Sequence, residues 1–366
     1  MKARKKILFL VAHRPGRSPG QRFRFEQYLH YLEENGFDCH ISYLINEKDD
    51  AVFYAPGKYL SKTIFLFKSL LHRKRDLSQV AGYDMVFLYR EAHMLGTTWF
   101  ERKIKKAGVK MIMDFDDSIW LKDVSNGNKR LAFLKRPSKT ADIVRLCDVV
   151  IVGNQYLAHY ARQYNPNVFV IPTTIDTDYY LPGEFKSNGE KVCIGWTGSS
   201  TTLKHFSLAV PVLKMLREKY GERLTFRLIS DELYEGKLPG LENIRWNKET
   251  EVQDLMAIDI GIMPLPDDAW SKGKCGFKGL QYMALGKPAV MSPVGVNTEI
   301  IEHGHNGFLA RTPEEWEVVL SRLIENPELR KQIGGEGRKT VVERFSFQSQ
   351  KERYVQIYHD LTKEGQ

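Results

Sequence analysis

Two strand–loop–helix units stand side by side in residues 259–307, and they constrain the fold more than any other stretch of the chain. The first runs from an apolar strand, residues 260–263, through a lysine-bearing glycine loop into a helix. The second runs from a strand at residues 288–292 through Pro293 and Gly295 into another helix. Units of this kind build parallel α/β sheets, whose ligands bind beyond the carboxyl ends of the strands. Because helix N-termini there offer free N–H groups and partial positive charge, the segment predicts an anion site, with phosphate as the favoured ligand.

Short apolar strands and helices alternate along the rest of the chain in two series, which is typical of doubly wound parallel sheets. The alternation stops between residues 172 and 191, where prolines, glycines and polar residues predict a linker. A length of 366 residues also suits two domains. We therefore predict two Rossmann-like α/β domains, residues 1–175 and 190–345, facing each other across a cleft. A last helix, within residues 346–366, is predicted to cross back to the first domain.

Composition narrows the class of protein. With 42% hydrophobic and 27% charged residues, the chain is expected to fold throughout. Its four cysteines have no C-x-x-C pairing, which argues against disulfides and against a cysteine zinc site. The basic N-terminus imitates a signal peptide, but its apolar run of residues 7–12 is too short and is better explained as a buried strand. No run is long enough to span a membrane. We expect a cytoplasmic protein, with a position at the inner face of the membrane as a further option.

The formal net charge of +9 raises the question of an anionic partner. The basic residues are spread along the chain without zinc-finger or RNP-like spacing, so we expect no nucleic-acid binding. The densest basic stretch, residues 58–75, is an apolar helix-length segment with cationic flanks. Such a segment fits a helix lying in a bilayer interface, which would make the protein a peripheral membrane protein. The alternative is a helix packed on its own domain, since basic amphipathic helices are common in soluble proteins, and the sequence leaves both interpretations open.

The order of these features resembles the large group-1 family of retaining, nucleotide-sugar-dependent glycosyltransferases, which have the GT-B fold. In that family a glycine-rich loop after the first strand faces the acceptor, and residues 14–20 occupy its place. A D-x-D-D string with a following tryptophan, ending at Trp120, looks like that of a subgroup acting in cell-surface polysaccharide synthesis. The resemblance implies acceptor-binding roles for Gly16, Arg22, Arg24 and Asp114.

Asp116 and Asp117 belong to the same string. Carboxylates bunched at a strand end are costly unless a cation or a hydroxyl-rich ligand uses them, so an acceptor or catalytic role is one interpretation. In that interpretation, one of them orients the acceptor hydroxyl or accepts its proton. The other interpretation is that they cap the next helix.

The second series carries the donor-side candidates. Small residues at Gly198 and Ser199 allow phosphate oxygens to approach the backbone. The family usually has an arginine directly after this glycine and a lysine five residues further on; here Ser199 takes the first place and Lys204 the second. Lys274 and Lys278, in the loop expected to face the same phosphates, are candidates to supply the missing charge. We expect Lys204 and Lys278 to stabilise the leaving diphosphate, with Lys274 in a binding role.

The family also has two glutamates eight positions apart, which contact the donor sugar and the ribose. This chain departs from both, with Gly273 in place of the first and Gln281 in place of the second. An amide can still bond a diol, although without a charged acceptor. The next turn matches the family well, and the resemblance implies donor contacts from Gly295, Val296, Asn297 and Glu299.

Together these features predict a hexosyltransferase-type glycosyltransferase. Its donor would be a UDP- or GDP-sugar, and its acceptor a hydroxyl of a glycan or lipid-linked molecule in cell-surface polysaccharide or glycoconjugate synthesis. The resemblance implies retention of configuration, no metal ion and no other cofactor. Two alternatives remain: a nucleotide-sugar binding protein that has lost catalysis, and a GT-B-fold nucleotide-sugar epimerase.

Overall fold

The computed structural model describes residues 4–121, 134–183 and 191–363 and divides the chain into two compact α/β units. The first unit comprises Met1–Pro172 together with Lys351–Gln366, and the second comprises Thr173–Gln350. Each unit contains one six-stranded sheet in which every neighbouring pair of strands is parallel. The C-terminal segment thus belongs to the same unit as the N-terminus.

The first sheet has the strand order β2-β1-β3-β4-β5-β6. Its strands are β1 (Lys5–His13), β2 (Phe37–Ile45), β3 (Met85–Tyr89), β4 (Lys110–Phe115), β5 (Val149–Val152) and β6 (Val168–Val170). The helices of this part of the chain are α1 (Pro19–Arg24), α2 (Leu29–Glu34), α3 (Glu47–Phe53), α4 (Tyr59–Gln79), α5 (Trp99–Lys106), α6 (Lys139–Leu146) and α7 (Gln155–Arg162). All residues of β3 and β5 are buried, which explains why these strands are continuous apolar runs.

The second sheet has the order β12-β11-β10-β7-β8-β9. Its strands are β7 (Val192–Thr197), β8 (Leu224–Ser230), β9 (Leu241–Arg245), β10 (Ile260–Met263), β11 (Ala289–Met291) and β12 (Phe308–Leu309). The helices that follow α7 are α8 (Leu203–Tyr220), α9 (Glu251–Met256), α10 (Ala269–Lys272), α11 (Phe277–Ala284), α12 (Asn297–Ile300), α13 (Pro313–Glu325), α14 (Pro327–Arg344) and α15 (Phe347–Thr362).

Tyr282 fixes helix α11 against the centre of the second sheet. A Cβ on Gly261 would lie 2.1 Å from the Tyr282 ring, so only glycine in β10 leaves room for it. The Tyr282 hydroxyl accepts a hydrogen bond from the Thr197 amide at 2.9 Å and donates to the Ile262 carbonyl at 3.4 Å. Because these contacts join the ends of β7 and β10, the first turn of α11 is held beside the loop that follows β7.

Helix α15 completes the first unit. Its Tyr354 ring stacks on Tyr28 with centroids 4.2 Å apart, and its Tyr358 ring meets the edge of Phe37 at 5.8 Å. All four rings are buried. The last helix therefore supplies part of the core against the turn before α2 and the start of β2.

Two predicted elements differ from the structure. The sequence pattern predicts a single helix over residues 22–35, whereas the structure has α1, a 3-10 turn at Glu26–Tyr28, and α2. The break lies at Phe25, whose backbone (φ −139°, ψ −32°) leaves the helical region while its buried ring packs between Phe9 and Phe87. Core packing therefore overrides the helical periodicity.

The start of the predicted linker is built into the second unit. Ile175 is fully buried and exchanges backbone hydrogen bonds with Phe345 and Phe347, and Tyr180 is buried as well. The Arg338 guanidinium donates to the Thr177 and Tyr180 carbonyls. The sequence loses its helix and strand periodicity here because residues 173–183 form no regular helix or strand, although this segment is tightly packed. Residues 184–190, also within the predicted linker, lie outside the described residues.

A buried ion pair holds three elements of the first unit together. The Arg24 guanidinium donates to both carboxylate oxygens of Asp114 at 2.9 Å and to the Ile171 carbonyl at 2.5 Å. Both side chains are almost completely inaccessible. The pair therefore joins α1 to the end of β4 and to the residue that follows β6, and its bidentate geometry offsets the cost of burying both charges.

We predict that Asp114→Ala destabilises the first unit strongly. The substitution leaves the Arg24 guanidinium buried without its counter-charge, which typically costs about 3–5 kcal/mol. Urea unfolding measures the loss. As a control, Asp142→Ala removes a carboxylate from half-exposed ion pairs with Arg136 and Arg145, and it should cost about 1 kcal/mol or less. Equal losses in the two variants would contradict the structural role of the buried pair.

Candidate functional site

Three lysines gather at the carboxyl edge of the second sheet. Lys204 lies in the first turn of α8, Lys274 in the loop before α11, and Lys278 in the first turn of α11. The charges of all three lower the pKa of the His205 imidazole, so all three lie within electrostatic reach of that side chain. The Lys278 ammonium lies 5.5 Å from the centroid of the Trp196 ring, a cation–π arrangement. The structure thus brings together the predicted basic residues.

Gly198 makes room for this cluster. A Cβ at this position would lie 2.8 Å from Cε of Lys278 and 2.4 Å from the Trp196 ring, so a larger residue would push the lysine away. The Gly198 amide donates to the Ile229 carbonyl, and the Ser200 amide donates to the Asp231 carboxylate at 2.6 Å. These two amides are therefore already paired. Gly198 contributes space for Lys278, and its N–H is bonded to the Ile229 carbonyl. A contact between Gly198 and a donor stays a prediction.

Ser199 has a local role in the same loop. Its hydroxyl is 2.9 Å from that of Thr201, and its carbonyl accepts hydrogen bonds from Thr202. These contacts shape the turn into α8. Nothing in them tests a contact with a donor, which stays a prediction.

His205 is a site residue that the sequence interpretation missed. Its side chain is buried, and its Nδ1 has no hydrogen-bond partner among the residues that the structure describes. Burial, and then the charges of Lys278, Lys274 and Lys204, lower the pKa of His205 to about 4, although the Asp268 carboxylate opposes the shift. The imidazole is therefore neutral at neutral pH. Its sequence signal was weak, because a single histidine after a lysine is common on helices.

The turn after β11 depends on Gly295. This residue has φ +54°, and a Cβ there would lie 2.6 Å from the Lys272 carbonyl oxygen. Val296 and Asn297 are buried, and the Asn297 amide donates to the Ser292 carbonyl. Glu299 is exposed. The Asn297 amide nitrogen helps to hold the turn in place, whereas its Oδ1 is buried without a hydrogen-bond partner among the described residues. Donor contacts from Gly295, Val296, Asn297 and Glu299 stay predictions.

Gln281 faces inward. Its amide nitrogen donates to the Tyr180 hydroxyl at 3.2 Å and lies 3.5 Å from the Glu251 carboxylate, and the Tyr180 hydroxyl donates to the same carboxylate at 2.9 Å. The Trp246 indole N–H is a further donor to Glu251. Gln281 is buried, so in this arrangement it has a structural role and does not make the expected contact with the ribose. The buried carboxylate of this region is Glu251, which sequence reasoning missed because it lies 30 residues away.

A second polar cluster lies at the carboxyl edge of the first sheet. One Arg90 guanidinium nitrogen donates to both Asp116 and Asp117 at 2.7 Å, and the Tyr89 hydroxyl donates to Asp116 at 2.8 Å. Arg90 has φ +70°, a strained conformation for a long side chain. A Cβ on Gly20 would lie 2.0 Å from the Tyr89 hydroxyl, so the glycine-rich loop closes against this cluster.

The positive charge of Arg90 offsets the electrostatic repulsion between the neighbouring carboxylates of Asp116 and Asp117. Burial works to raise the pKa of Asp116, but the charges of Arg90 and Arg24 and the hydrogen bonds from Arg90 and Tyr89 outweigh it, so the pKa is lowered. Asp116 is therefore a carboxylate held in place beside a cation. Sequence reasoning missed Arg90, which carries no signal beyond its position after β3.

The remaining acceptor-side candidates are distributed differently from the prediction. Arg24 and Asp114 form a buried ion pair with each other, and neither side chain is accessible to solvent. They therefore support the edge of the sheet and do not contact an acceptor in this arrangement. Gly16 has φ +78°, and its amide donates to the Glu26 carboxylate at 2.7 Å. The Arg22 guanidinium lies over the Phe23 ring at 5.0 Å. Gly16 and Arg22 shape the loop and the helix next to the cluster.

Within residues 4–121, 134–183 and 191–363, no group of three or more His, Cys, Asp or Glu side chains is placed to hold a metal ion. The expected independence from metal stays a prediction.

Similarity to known proteins is concentrated in the second unit. Residues 191–326 match the family model described as "Glycosyl transferases group 1". An uncharacterized glycosyltransferase of Methanocaldococcus jannaschii is 34% identical over 208 residues, which cover 51% of this chain and 49% of that protein. The chain spans between 20% and 49% of the length of the curated relatives it matches.

Two solved structures resemble the chain over nearly its whole length. A glycosyltransferase from Rickettsia africae gives a TM-score of 0.69 at 14% identity, with 100% of both chains covered. Anabaena HepE, solved in complex with UDP-glucose, gives a TM-score of 0.68 at 15% identity and covers 97% of this chain and 99% of that chain. At these identities the likeness establishes the fold, and it confirms the predicted α/β, GT-B-like architecture of two Rossmann-like units.

We predict that His205 makes the second unit sensitive to acid. Its pKa in the folded protein, about 4, lies below the value of 6.5 in the unfolded chain, so folding excludes a proton in this range. The free energy of unfolding is therefore at its full value above pH 6.5. It decreases by an amount on the order of 2–3 kcal/mol as the pH falls toward 4. His205→Gln should remove that share of the pH dependence.

Urea unfolding followed by tryptophan fluorescence measures this, since four of the six tryptophans belong to the second unit. The control is His30→Gln, on the exposed surface of α2. A His205→Gln variant that keeps the full wild-type acid loss would refute the prediction.

Proposed function

Since residues 191–326 match the group 1 glycosyl transferase family, we propose that the chain transfers a sugar from a nucleotide-diphosphate donor, a UDP- or GDP-sugar, to an acceptor hydroxyl. The observation that carries the proposal is the placement of Lys278 against Gly198 and Trp196 at the carboxyl edge of the matched domain, with Lys204 and Lys274 in electrostatic reach of the neighbouring His205. A nucleotide diphosphate gains negative charge as its glycosidic bond breaks, and fixed cations stabilise that charge. The complex of Anabaena HepE with UDP-glucose is in keeping with such a donor.

Lys278 is the cation whose position is most firmly set. Trp196 lies beneath its ammonium group, Gly198 leaves space for its stem, and Tyr282 holds its helix on the sheet. A preorganised charge costs little reorganisation as the leaving group departs. The neutral His205 adds no further charge, and its Nδ1, which has no partner among the described residues, can act as a neutral donor or acceptor beside the phosphates.

In the first unit, Asp116 is our candidate for the group that handles the acceptor. It is ionised, held by Arg90 and Tyr89, and covered by the glycine-rich loop at Gly20. A carboxylate in such a position can orient an acceptor hydroxyl or accept its proton. Asp117 shares the Arg90 guanidinium and is the second candidate.

We further propose that transfer proceeds with retention and without a metal ion. The acceptor would be a glycan or lipid-linked molecule, used in cell-surface polysaccharide or glycoconjugate synthesis at the inner face of a membrane. A protein that only binds nucleotide sugars, or an epimerase, is not favoured, because the similar proteins are glycosyltransferases. The decisive experiment incubates the protein with UDP- and GDP-sugars and an acceptor panel: acceptor-dependent release of nucleotide supports transfer, and binding without turnover contradicts it.

We predict that Lys278→Ala weakens binding of UDP or GDP by about 1.5–3 kcal/mol, because it removes a charge-assisted contact to the diphosphate. Lys204→Ala should act in the same direction. Isothermal titration calorimetry measures both. Lys331→Ala, at an exposed position on α14, is the control and should bind like the wild type. Unchanged affinity in both test variants would remove these lysines from the donor site.

We predict that Asp116→Asn lowers kcat by about 10²–10⁴-fold, the usual contribution of a general base, and leaves the donor Kd nearly unchanged. The asparagine keeps the size and one hydrogen-bond acceptor, so folding should survive. Steady-state kinetics and donor titration separate the two quantities, and Asp142→Asn on the surface of α6 is the control. Full turnover with reduced thermal stability would mean that Asp116 is structural.

A further inference from the structure

Helix α4 presents an apolar stripe to solvent. Leu60, Ile64, Phe67 and Leu71 are 77%, 48%, 63% and 49% exposed. Their spacing of four, three and four residues places all four on one side of the helix. Within the part of the chain that the structure describes, nothing covers this stripe. A contiguous row of large exposed side chains is unusual on a soluble surface and marks an interaction site.

The buried side of the same helix is largely polar, the reverse of an ordinary surface helix. Lys62, Ser69 and Arg73 are buried, with Phe65 between them. The Arg73 guanidinium donates to the carbonyls of Val11, Ser42 and Ala92, and the Ser69 hydroxyl lies 2.9 Å from Nε2 of His93. Sheet packing therefore explains the polar face. It does not explain the apolar stripe, which lies on the opposite side.

Cations border the stripe. Lys58, Lys68, Lys74 and Arg75 are exposed, and residues 58–75 contain no Asp or Glu. At 100° per residue, Lys68 and Arg75 fall on one flank of the stripe and Lys74 on the other. The surface thus combines apolar side chains for an acyl boundary with flanking charges for phosphate headgroups. We call the apolar stripe together with these exposed flanking cations, all within residues 58–75, the α4 surface.

We propose that the α4 surface docks on a bilayer containing anionic lipids, with helix α4 lying in the plane of the interface. Among the described residues, no helix combines the length and the apolar character needed to cross a membrane. A second copy of the chain is a poorer occupant, because pairing two α4 surfaces would bring like charges together. Anionic headgroups complement the same charges, and lysine and arginine stems can extend toward them while the stripe enters the acyl boundary.

Docking would bring one functional edge of the protein to the membrane. Arg73 bonds the Val11 carbonyl, near the end of β1, and the Ala92 carbonyl, two residues beyond Arg90. The α4 helix is thereby fixed to the edge that carries the Arg90 and Asp116 cluster. Only this consequence, a lipid-linked acceptor reaching the cluster from the bilayer, rests on the proposed function. The docking itself does not.

Vesicle flotation tests the proposal without any assay of activity. The full chain is mixed with vesicles of equimolar phosphatidylcholine and phosphatidylglycerol, or of phosphatidylcholine alone. We expect recovery with the anionic vesicles and at least about tenfold less partitioning for a variant that carries Leu60→Gln, Ile64→Gln, Phe67→Gln and Leu71→Gln. Glutamine is a good helix former, so the exposed helix should persist, and circular dichroism checks this. Lys68→Ser, Lys74→Ser and Arg75→Ser together should also reduce recovery, and added salt should do the same to the wild type.

Matched controls lie in the second unit. Leu208→Gln with Val318→Gln removes exposed apolar side chains, and Lys237→Ser, Lys248→Ser and Lys331→Ser together remove three exposed charges. Both controls should float like the wild type. Equal recovery of the wild type and the stripe variant, or equal binding to neutral and anionic vesicles, overturns the proposal. So does light scattering that shows a dimer which the stripe variant abolishes, since the occupant would then be a second copy.

Discussion

The carboxyl edge of the first sheet has to satisfy carbonyl groups that strand pairing leaves without donors, and two buried arginines meet this need. Arg24 donates to the carbonyl of Ile171, and Arg73 donates to those of Val11, Ser42 and Ala92. A buried carbonyl without a donor is costly, and a guanidinium offers five donors in a rigid fork. The positions of α1, α4 and the loop after β3 all follow from these bonds. The Arg90 and Asp116 cluster is held at an edge that is already rigid.

The second unit handles charge in a different way. The charges of Lys278, Lys274 and Lys204, together with burial, lower the pKa of the neighbouring His205 imidazole, which stays neutral. Solvent screens the repulsion between positive charges at an exposed edge of the sheet, and a bound anion would offset that repulsion further. The buried carboxylate of this unit, Glu251, is instead satisfied by Tyr180, Trp246 and Gln281. The aspartates of the first unit are thus balanced by the Arg90 guanidinium, whereas the lysines of the second unit act on a neutral histidine.

Much of the fold could be predicted because buried parallel strands have a simple pattern. The apolar runs of residues 85–89, 149–152 and 260–263 predict strands, and the periodicity of residues 203–220 predicts a helix. The structure has β3, β5, β10 and α8 with these same bounds. The gathering of Lys204 and Lys278 also followed from topology, since both begin helices at the same edge of the sheet. Side-chain partners were harder. Gln281 bonds a tyrosine 101 residues away, and Arg24 and Asp114 find each other across 90 residues. No local pattern shows that these polar groups satisfy each other.

Helix α15 has a consequence for the order in which the molecule can be assembled. The rings of Tyr354 and Tyr358 complete the core around Tyr28 and Phe37, yet the ribosome makes them after the entire second unit. During synthesis the first sheet must wait with an open apolar surface while the second unit emerges and folds. The unit that starts first therefore finishes last, and premature release of the chain would leave that surface exposed to aggregation or to chaperones.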